Sequence, residues 1–235
     1  MKGYYSPLKA GHESKYDDKP RMELLECVTG DCKRVLEVGC GTGATGALVK
    51  QTFPGAWYAG LEIDEKAADI ARARLDQVIT GNLETLDIEK AGLSRESFDL
   101  IICADVLEHL YDPWKALHRL RDFLRPGGKV LASIPNTQNI HLIQHLAAGH
   151  WTYSDFGLLD ATHIRFFTLG EIVKLFHGTG YTIINCGNRL EAPIEKEGWP
   201  RDLDYGQLVL RNVSFEDANK LFTIQYLILA QKNEQ

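Results

Sequence analysis

No two cysteines of this chain stand in a C-x-x-C arrangement, so the usual sequence basis for a zinc knuckle or a dithiol redox site is missing. The five that are present, Cys27, Cys32, Cys40, Cys103 and Cys186, are scattered and odd in number. That pattern fits free thiols in a reducing compartment. Cys40, Cys103 and Cys186 lie in or beside apolar runs and read as small buried hydrophobes. No run approaches the roughly 20 apolar residues of a membrane-crossing helix. The opening M-K-G-Y-Y-S-P has no apolar signal core, and a cytoplasmic location is expected. Excess positive charge is also lacking. Lys and Arg number 26 against 32 Asp and Glu, a net charge of −6, which disfavours nucleic acid as a partner. Arg119, Arg121, Arg125 and Lys129 lie close together but read as a solvated helix face. The sequence shows no internal repeat and no low-complexity stretch.

What is present is alternation. The 235 residues are 44% hydrophobic, enough to bury one sizeable core with an added cap. Strands are expected at 33–38, 57–63, 77–80, 98–103 and 129–134. Helices are expected at 44–53, 65–75, 113–124 and 168–177, with Thr168 as an N-cap. Near-continuous apolar strands alternating with helices imply a mostly parallel sheet covered on both faces, a doubly wound α/β fold. Two further strands are expected at 181–186 and 222–230; the last has no crossover-helix signal as clear as the earlier ones, so one antiparallel strand is expected near the C-terminal edge. The chain reads as a single domain over 1–235. Stretches 136–167 and 187–219 break the rhythm as long irregular insertions, and such insertions in a compact domain usually serve function.

Residues 35–43 read V-L-E-V-G-C-G-T-G. A strand runs into glycines and then into a helix, whose first amides lack partners. Glu62 ends the next strand about 20 residues on, where a carboxylate can accept two ribose hydroxyls. Gly41, Gly43 and Gly46 also fit G-x-G-x-x-G, which makes an NAD-linked oxidoreductase the first rival. Two features count against it: Glu37 stands inside the strand, and the glycine run starts at Gly39.

V-L-E-V-G-C-G-T-G resembles the first motif of class I methyltransferases that use S-adenosylmethionine (SAM). G-L-E-I-D at 60–64, G-N-L-E at 81–84, F-D-L-I-I-C-A-D-V-L-E-H-L at 98–110 and L-R-P-G-G-K-V-L at 124–131 resemble that family's later motifs, in order. The resemblance covers roughly 33–135. It implies a seven-stranded Rossmann-like methyltransferase fold with SAM as cofactor. It implies that Gly39, Gly41 and Gly43 run under the methionine part of SAM and that Glu37 holds that loop or the methionine amino group. Glu62 would take the ribose, Asn82 and Leu83 the adenine, and Ala104 would lie near the methionine. Asn82 stands where the family more often has Asp. Asp64 has a competing role as a helix N-cap.

His109 follows the fourth strand, at the end of the sheet where ligands bind. A histidine there can act as general base on a hydroxyl acceptor. The E-H-L element resembles the ubiquinone-biosynthesis type of O-methyltransferase and its sugar- and antibiotic-modifying relatives. Residues 149–168 resemble a segment of methyltransferases associated with cell-surface glycan synthesis. The expected acceptor is therefore a small molecule or glycan, methylated at oxygen. The cap contributes His141, Trp151, Tyr153, His163 and Arg165 as candidate acceptor-binding residues, since aromatic walls with a few polar groups suit a small ligand. His141 and His145 share a helix face, but nothing completes a metal site and none is expected. A SAM-binding regulatory module without turnover is the alternative from another class.

Overall fold

Strands β1 (Arg34–Val38), β2 (Trp57–Glu62), β3 (Gln77–Thr80), β4 (Phe98–Ala104) and β5 (Leu124–Pro135) run parallel to one another. They are followed by β6 (Tyr181–Leu190), a short antiparallel hairpin of β7 (Arg201–Asp204) and β8 (Val209–Val213), and β9 (Thr223–Lys232). In the main sheet the order is β3-β2-β1-β4-β5-β9-β6. Strand β9 is antiparallel to both of its neighbours, so the single reversed strand is the penultimate one. The structure is a computed structural model and describes residues 18–28 and 32–234.

The sheet buries both faces because successive side chains alternate. Val35, Leu100, Ile102 and Leu131 belong to one core cluster, with Leu24, Val49, Tyr58 and Ala71. Those partners come from α1 (Met22–Leu25), α2 (Ala44–Thr52), α3 (Glu65–Arg72) and β2. Leu36, Ile101, Val130 and Ala132 point the other way. They pack with Leu117 and Leu120 of α4 (Pro113–Leu120) and with Ile172, Leu175 and Phe176 of α6 (Leu169–Gly178). Capping follows sequence where a short acceptor is available. Asp64 Oδ1 accepts the Ala67 amide at 2.8 Å, and Asp112 Oδ1 accepts that of Lys115 at 2.9 Å. Thr168 occupies the N-cap of α6, but its hydroxyl makes no capping bond.

The two insertions are more regular than expected. The first contains α5 (Ile140–Ala147), and the second holds the β7–β8 hairpin and α7 (Phe215–Phe222). Ile140, Leu203, Val213, Ala218 and Leu221 form a third apolar cluster. The insertions thus share a core rather than hanging as separate loops. Two further readings are corrected. Cys186 is exposed, whereas Cys40 and Cys103 are buried. The arginines read as a solvated face are engaged instead: Arg119 donates to the Leu83 and Leu86 carbonyls at 2.9 and 2.6 Å, and Arg125 Nε lies 2.7 Å from Asp99 Oδ1. Backbone carbonyls at 83–86 need cationic donors there because that loop makes no strand ladder. No helix among the described residues is long and apolar enough to cross a membrane.

Candidate active site

The carboxyl ends of β1 to β4 supply the walls of a cavity of about 480 Å³. Gly39 follows β1, Glu62 and Ile63 end β2, Asn82 and Leu83 follow β3, and Asp105, Val106 and His109 follow β4. Gly39 has φ +69°, and a Cβ on it would lie 2.8 Å from Val106 Cγ2. A glycine is therefore required where the backbone meets the opposite wall. Gly43 is also left-handed, at φ +77°, and opens α2.

Glu62 ties this end of the sheet together. Its Oε2 accepts the Gly41 amide at 2.8 Å. Its Oε1 accepts those of Ile63 and Asp64 at 2.8 and 2.9 Å. The carboxylate is buried yet lines the cavity. Asn82 Oδ1 accepts the Glu84 amide at 2.8 Å, which turns the chain at Leu83. Glu84, which the sequence reading did not assign, accepts the Tyr111 and Asp112 amides at 3.0 and 2.8 Å and so binds the β3 end to the β4 end.

Some expected residues serve from behind. Glu37 is 4% exposed, and its Oε2 accepts the Tyr58 hydroxyl at 2.9 Å. Burial pushes its carboxyl up to about 8, against the Tyr58 hydrogen bond, which lowers it. Glu37, Gly41, Gly43 and Ala104 are not among the cavity walls. Glu37 underlies the loop, Gly41 is tied to Glu62, and Ala104 packs against the core. Their places beside the cavity are taken by Asp105 and Val106.

A second cavity of about 490 Å³ adjoins the first, and both are lined by Asp105 and His109. Asp105 has φ +54°. Its carboxylate is held by Arg21, Gln225 and Ser133, the last at 2.9 Å. The sequence reading passed over it, although a polar residue just past a strand end was the available signal. The cap adds Phe156, Leu158, Asp160 and His163 to this cavity, and β6 adds Arg189. The cap is docked by its backbone: the Ile164 and Arg165 amides both donate to the Glu108 carbonyl at 3.0 Å.

His109 Nδ1 lies 3.0 Å from Thr162 Oγ1 and 3.2 Å from the Thr162 carbonyl. The His109 and His163 rings meet edge to face at 4.7 Å. Glu108 is 1% exposed, and neither side-chain oxygen has a hydrogen-bond partner. Burial, and then the charge of Asp105, push its carboxyl well above the usual carboxylate range. Burial, then His109, push His163 below the usual imidazole value. The ligand atoms of Glu108, His109 and His163 all lie within 4.8 Å of one another. The described residues that could share a cation are therefore these three, not the His141 and His145 pair.

The other cap residues named from sequence lie elsewhere. His141 Nε2 pairs with Glu191 at 2.6 Å and lines a neighbouring cavity of about 340 Å³. Trp151 meets Phe166 edge to face, with ring centres 5.5 Å apart. Tyr153 is exposed. Arg165 Nε donates to the Tyr111 carbonyl at 3.0 Å, with its guanidinium over the Tyr111 ring. None of these four lines the cavity that holds His109.

The model of the methyltransferase domain family matches residues 13–185. The ubiquinone biosynthesis O-methyltransferase of Coxiella burnetii (strain RSA 493 / Nine Mile phase I) is 35% identical over 180 residues, 75% of this chain and 76% of that protein. A SAM-dependent methyltransferase from Archaeoglobus fulgidus superposes with a TM-score of 0.61 at 18% identity, covering 90% of this chain and 91% of that one. A SAM-dependent methyltransferase from Thermotoga maritima, a possible histamine N-methyltransferase, gives a TM-score of 0.58 at 20% identity over 91% and 87%. At those identities the two structures speak to the fold alone. A glycine loop that admits close backbone approach, a buried carboxylate at the β2 end and the adjoining cavity all fit the same cofactor. The chain belongs to the class I SAM-dependent methyltransferases, and SAM is its cofactor.

Proposed function

We propose that the protein methylates an oxygen of a small hydroxylated molecule or glycan bound in the second cavity, with His109 as general base. The observation that carries this reading is the position of His109 on the wall common to both cavities. A base must reach the acceptor proton while the acceptor oxygen faces the methyl donor. Bound SAM supplies an electrophilic methyl group on its sulfonium. The protein supplies the rest. Glu62, Asn82 and Leu83 hold the ribose and adenine side, Gly39 lets the loop approach, and His109 takes the acceptor proton.

Both cavities fall in the size range of small-ligand sites, about 300–1,000 Å³. The O-methyltransferase name of the Coxiella relative supports oxygen as the target. Within the single domain, 136–167 and 187–219 act as the acceptor cap, with Phe156, His163 and Arg189 as its contacts. Five free thiols and the acidic balance support a cytoplasmic enzyme that does not engage nucleic acid. The test is a screen of hydroxylated acceptors with methyl-labelled SAM, scored on wild type and His109→Gln. Label that reaches an acceptor oxygen only with wild type supports the reading. Label that lands on nitrogen or carbon, or equal transfer by both proteins, overturns it.

A further inference from the structure

The hydroxyl of Thr162 donates to Asp160 Oδ1 at 2.6 Å, and the same oxygen accepts the Thr162 amide at 2.7 Å. A hydroxyl has one proton. With that proton committed to Asp160, Thr162 Oγ1 presents only lone pairs to His109 Nδ1, 3.0 Å away. The Thr162 carbonyl, 3.2 Å from the same nitrogen, can only accept. Two acceptors and no donor meet Nδ1, so Nδ1 carries the ring proton and Nε2 is left bare. From this geometry we infer that Asp160 and Thr162 are positioning residues, which hold His109 in the tautomer whose Nε2 can accept a proton. The inference rests on the reading of His109 as the base.

The loop that carries the pair is braced. The Asp160 amide donates to the Gly157 carbonyl at 3.1 Å, and that of Ala161 to Ser154 at 2.9 Å. The relay also spans two parts of the molecule. His109 belongs to the turn after β4, whereas Asp160 and Thr162 belong to the cap. The catalytic tautomer is therefore fixed only while the cap is docked. When His109 takes a proton from the acceptor, the new cation lies one hydroxyl away from the Asp160 carboxylate. A carboxylate placed behind an imidazole in this way both fixes its tautomer and stabilises its charged form.

The tautomer can be read without knowing the acceptor. Imidazole ¹⁵N spectra of the full chain, recorded at a pH where its histidines are neutral, distinguish a protonated from a bare nitrogen. The His109 signals are those lost in His109→Gln. Wild type is expected to show Nδ1 protonated and Nε2 bare. Asp160→Ala frees the Thr162 hydroxyl to donate to Nδ1, so protonated Nε2 should appear. Asp160→Asn and Thr162→Ser retain the needed acceptor and should keep the wild-type pattern. With an acceptor in hand, Asp160→Ala should lower kcat by about 10- to 100-fold. Its SAM Kd should stay within about twofold of wild type, and Thr162→Ser should restore near-normal turnover. A wild-type ring protonated at Nε2, or an Asp160→Ala spectrum unchanged from wild type, overturns the inference. Full turnover by His109→Gln overturns instead the base reading beneath it, and the spectra distinguish the two failures. If Asp160→Ala does not fold, Thr162→Ala serves. It removes one of the two acceptors at Nδ1 and the link to Asp160, so rings protonated at Nε2 should appear together with a loss of turnover. A spectrum unchanged from wild type there also overturns the inference.

Discussion

The phenol of Tyr58 and the carboxyl of Glu37 form a buried pair, with the Tyr58 hydroxyl 2.9 Å from Glu37 Oε2. Burial raises Glu37 from 4.5 to about 8, so the folded state binds this proton more tightly than the unfolded chain does. The resulting stabilisation is complete below pH 4.5 and is lost as pH rises through 8. Glu37→Gln keeps an acceptor for Tyr58 and cannot ionise. Its melting temperature should change less than wild type's between pH 5 and pH 9, and should exceed it above pH 8. Parallel melting curves for the two proteins would remove Glu37 as the titrating group. Glu108, shifted in the same direction, leaves some slope in both.

Glu62 accepts three backbone amides and is the proposed ribose partner. Glu62→Ala removes both. Loss of charge-assisted hydrogen bonds costs about 1.5–3 kcal/mol, or roughly 10- to 150-fold in SAM Kd. Calorimetric titration should show that loss together with a lower melting temperature. Wild-type affinity in a folded variant would exclude Glu62 from the cofactor site.

Gly39→Ala introduces one methyl group at a left-handed position, against Val106. Strain of this kind costs of order 1–3 kcal/mol. Because both residues line the cofactor cavity, SAM binding should weaken by about tenfold or more. Gly127→Ala is the control: that glycine is also left-handed, but a Cβ there would meet nothing within 4 Å. It should leave SAM affinity unchanged.

His109→Ala should lower turnover by about 10² to 10⁴ while SAM affinity stays near wild type. A variant that keeps most of its activity would make the ring a brace for the cap.

His163 and Tyr153 should behave differently. His163 is buried against His109, whereas Tyr153 is 46% exposed and lies outside the cavity. His163→Ala should lower the melting temperature by several degrees, at roughly 2–4 °C per kcal/mol for a domain of this size, and should also impair acceptor use. Tyr153→Ala should do neither. Equal effects in the two variants would mean that the cap is placed differently from this structure.

The glycine loop, Glu62 and the β3 and β4 ends were legible because each is a local pattern: an apolar strand followed by a residue type that only one geometry favours. The antiparallel β9 was expected because its crossover-helix signal is weaker than the earlier ones, although α7 leads directly into it. The second cavity was not. Arg21, Gln225 and Arg189 reach it from segments far apart in sequence, and no local pattern announces such convergence. Aromatic content misled in the cap. Trp151 and Phe166 satisfy each other, and Phe167 is core, so those rings mark packing rather than ligand contact. His141 and His145 drew attention by spacing alone, while the histidines that meet, His109 and His163, come from different elements.

The place of β9 in the sheet has a consequence for how the chain assembles. Among the described residues strand β6 has no ladder partner in the main sheet except β9, which leaves the ribosome only after the whole second insertion has been made. During that interval the edges of β5 and β6 that β9 will cover stand open, and such edges recruit other chains. Insertion of β9 closes both at once. It also delivers Gln225 to Asp105, so the last seam of the sheet and the wall shared by the two cavities are completed in one event. A nascent chain stalled before Thr223 should therefore be both aggregation-prone and unable to form a finished acceptor site.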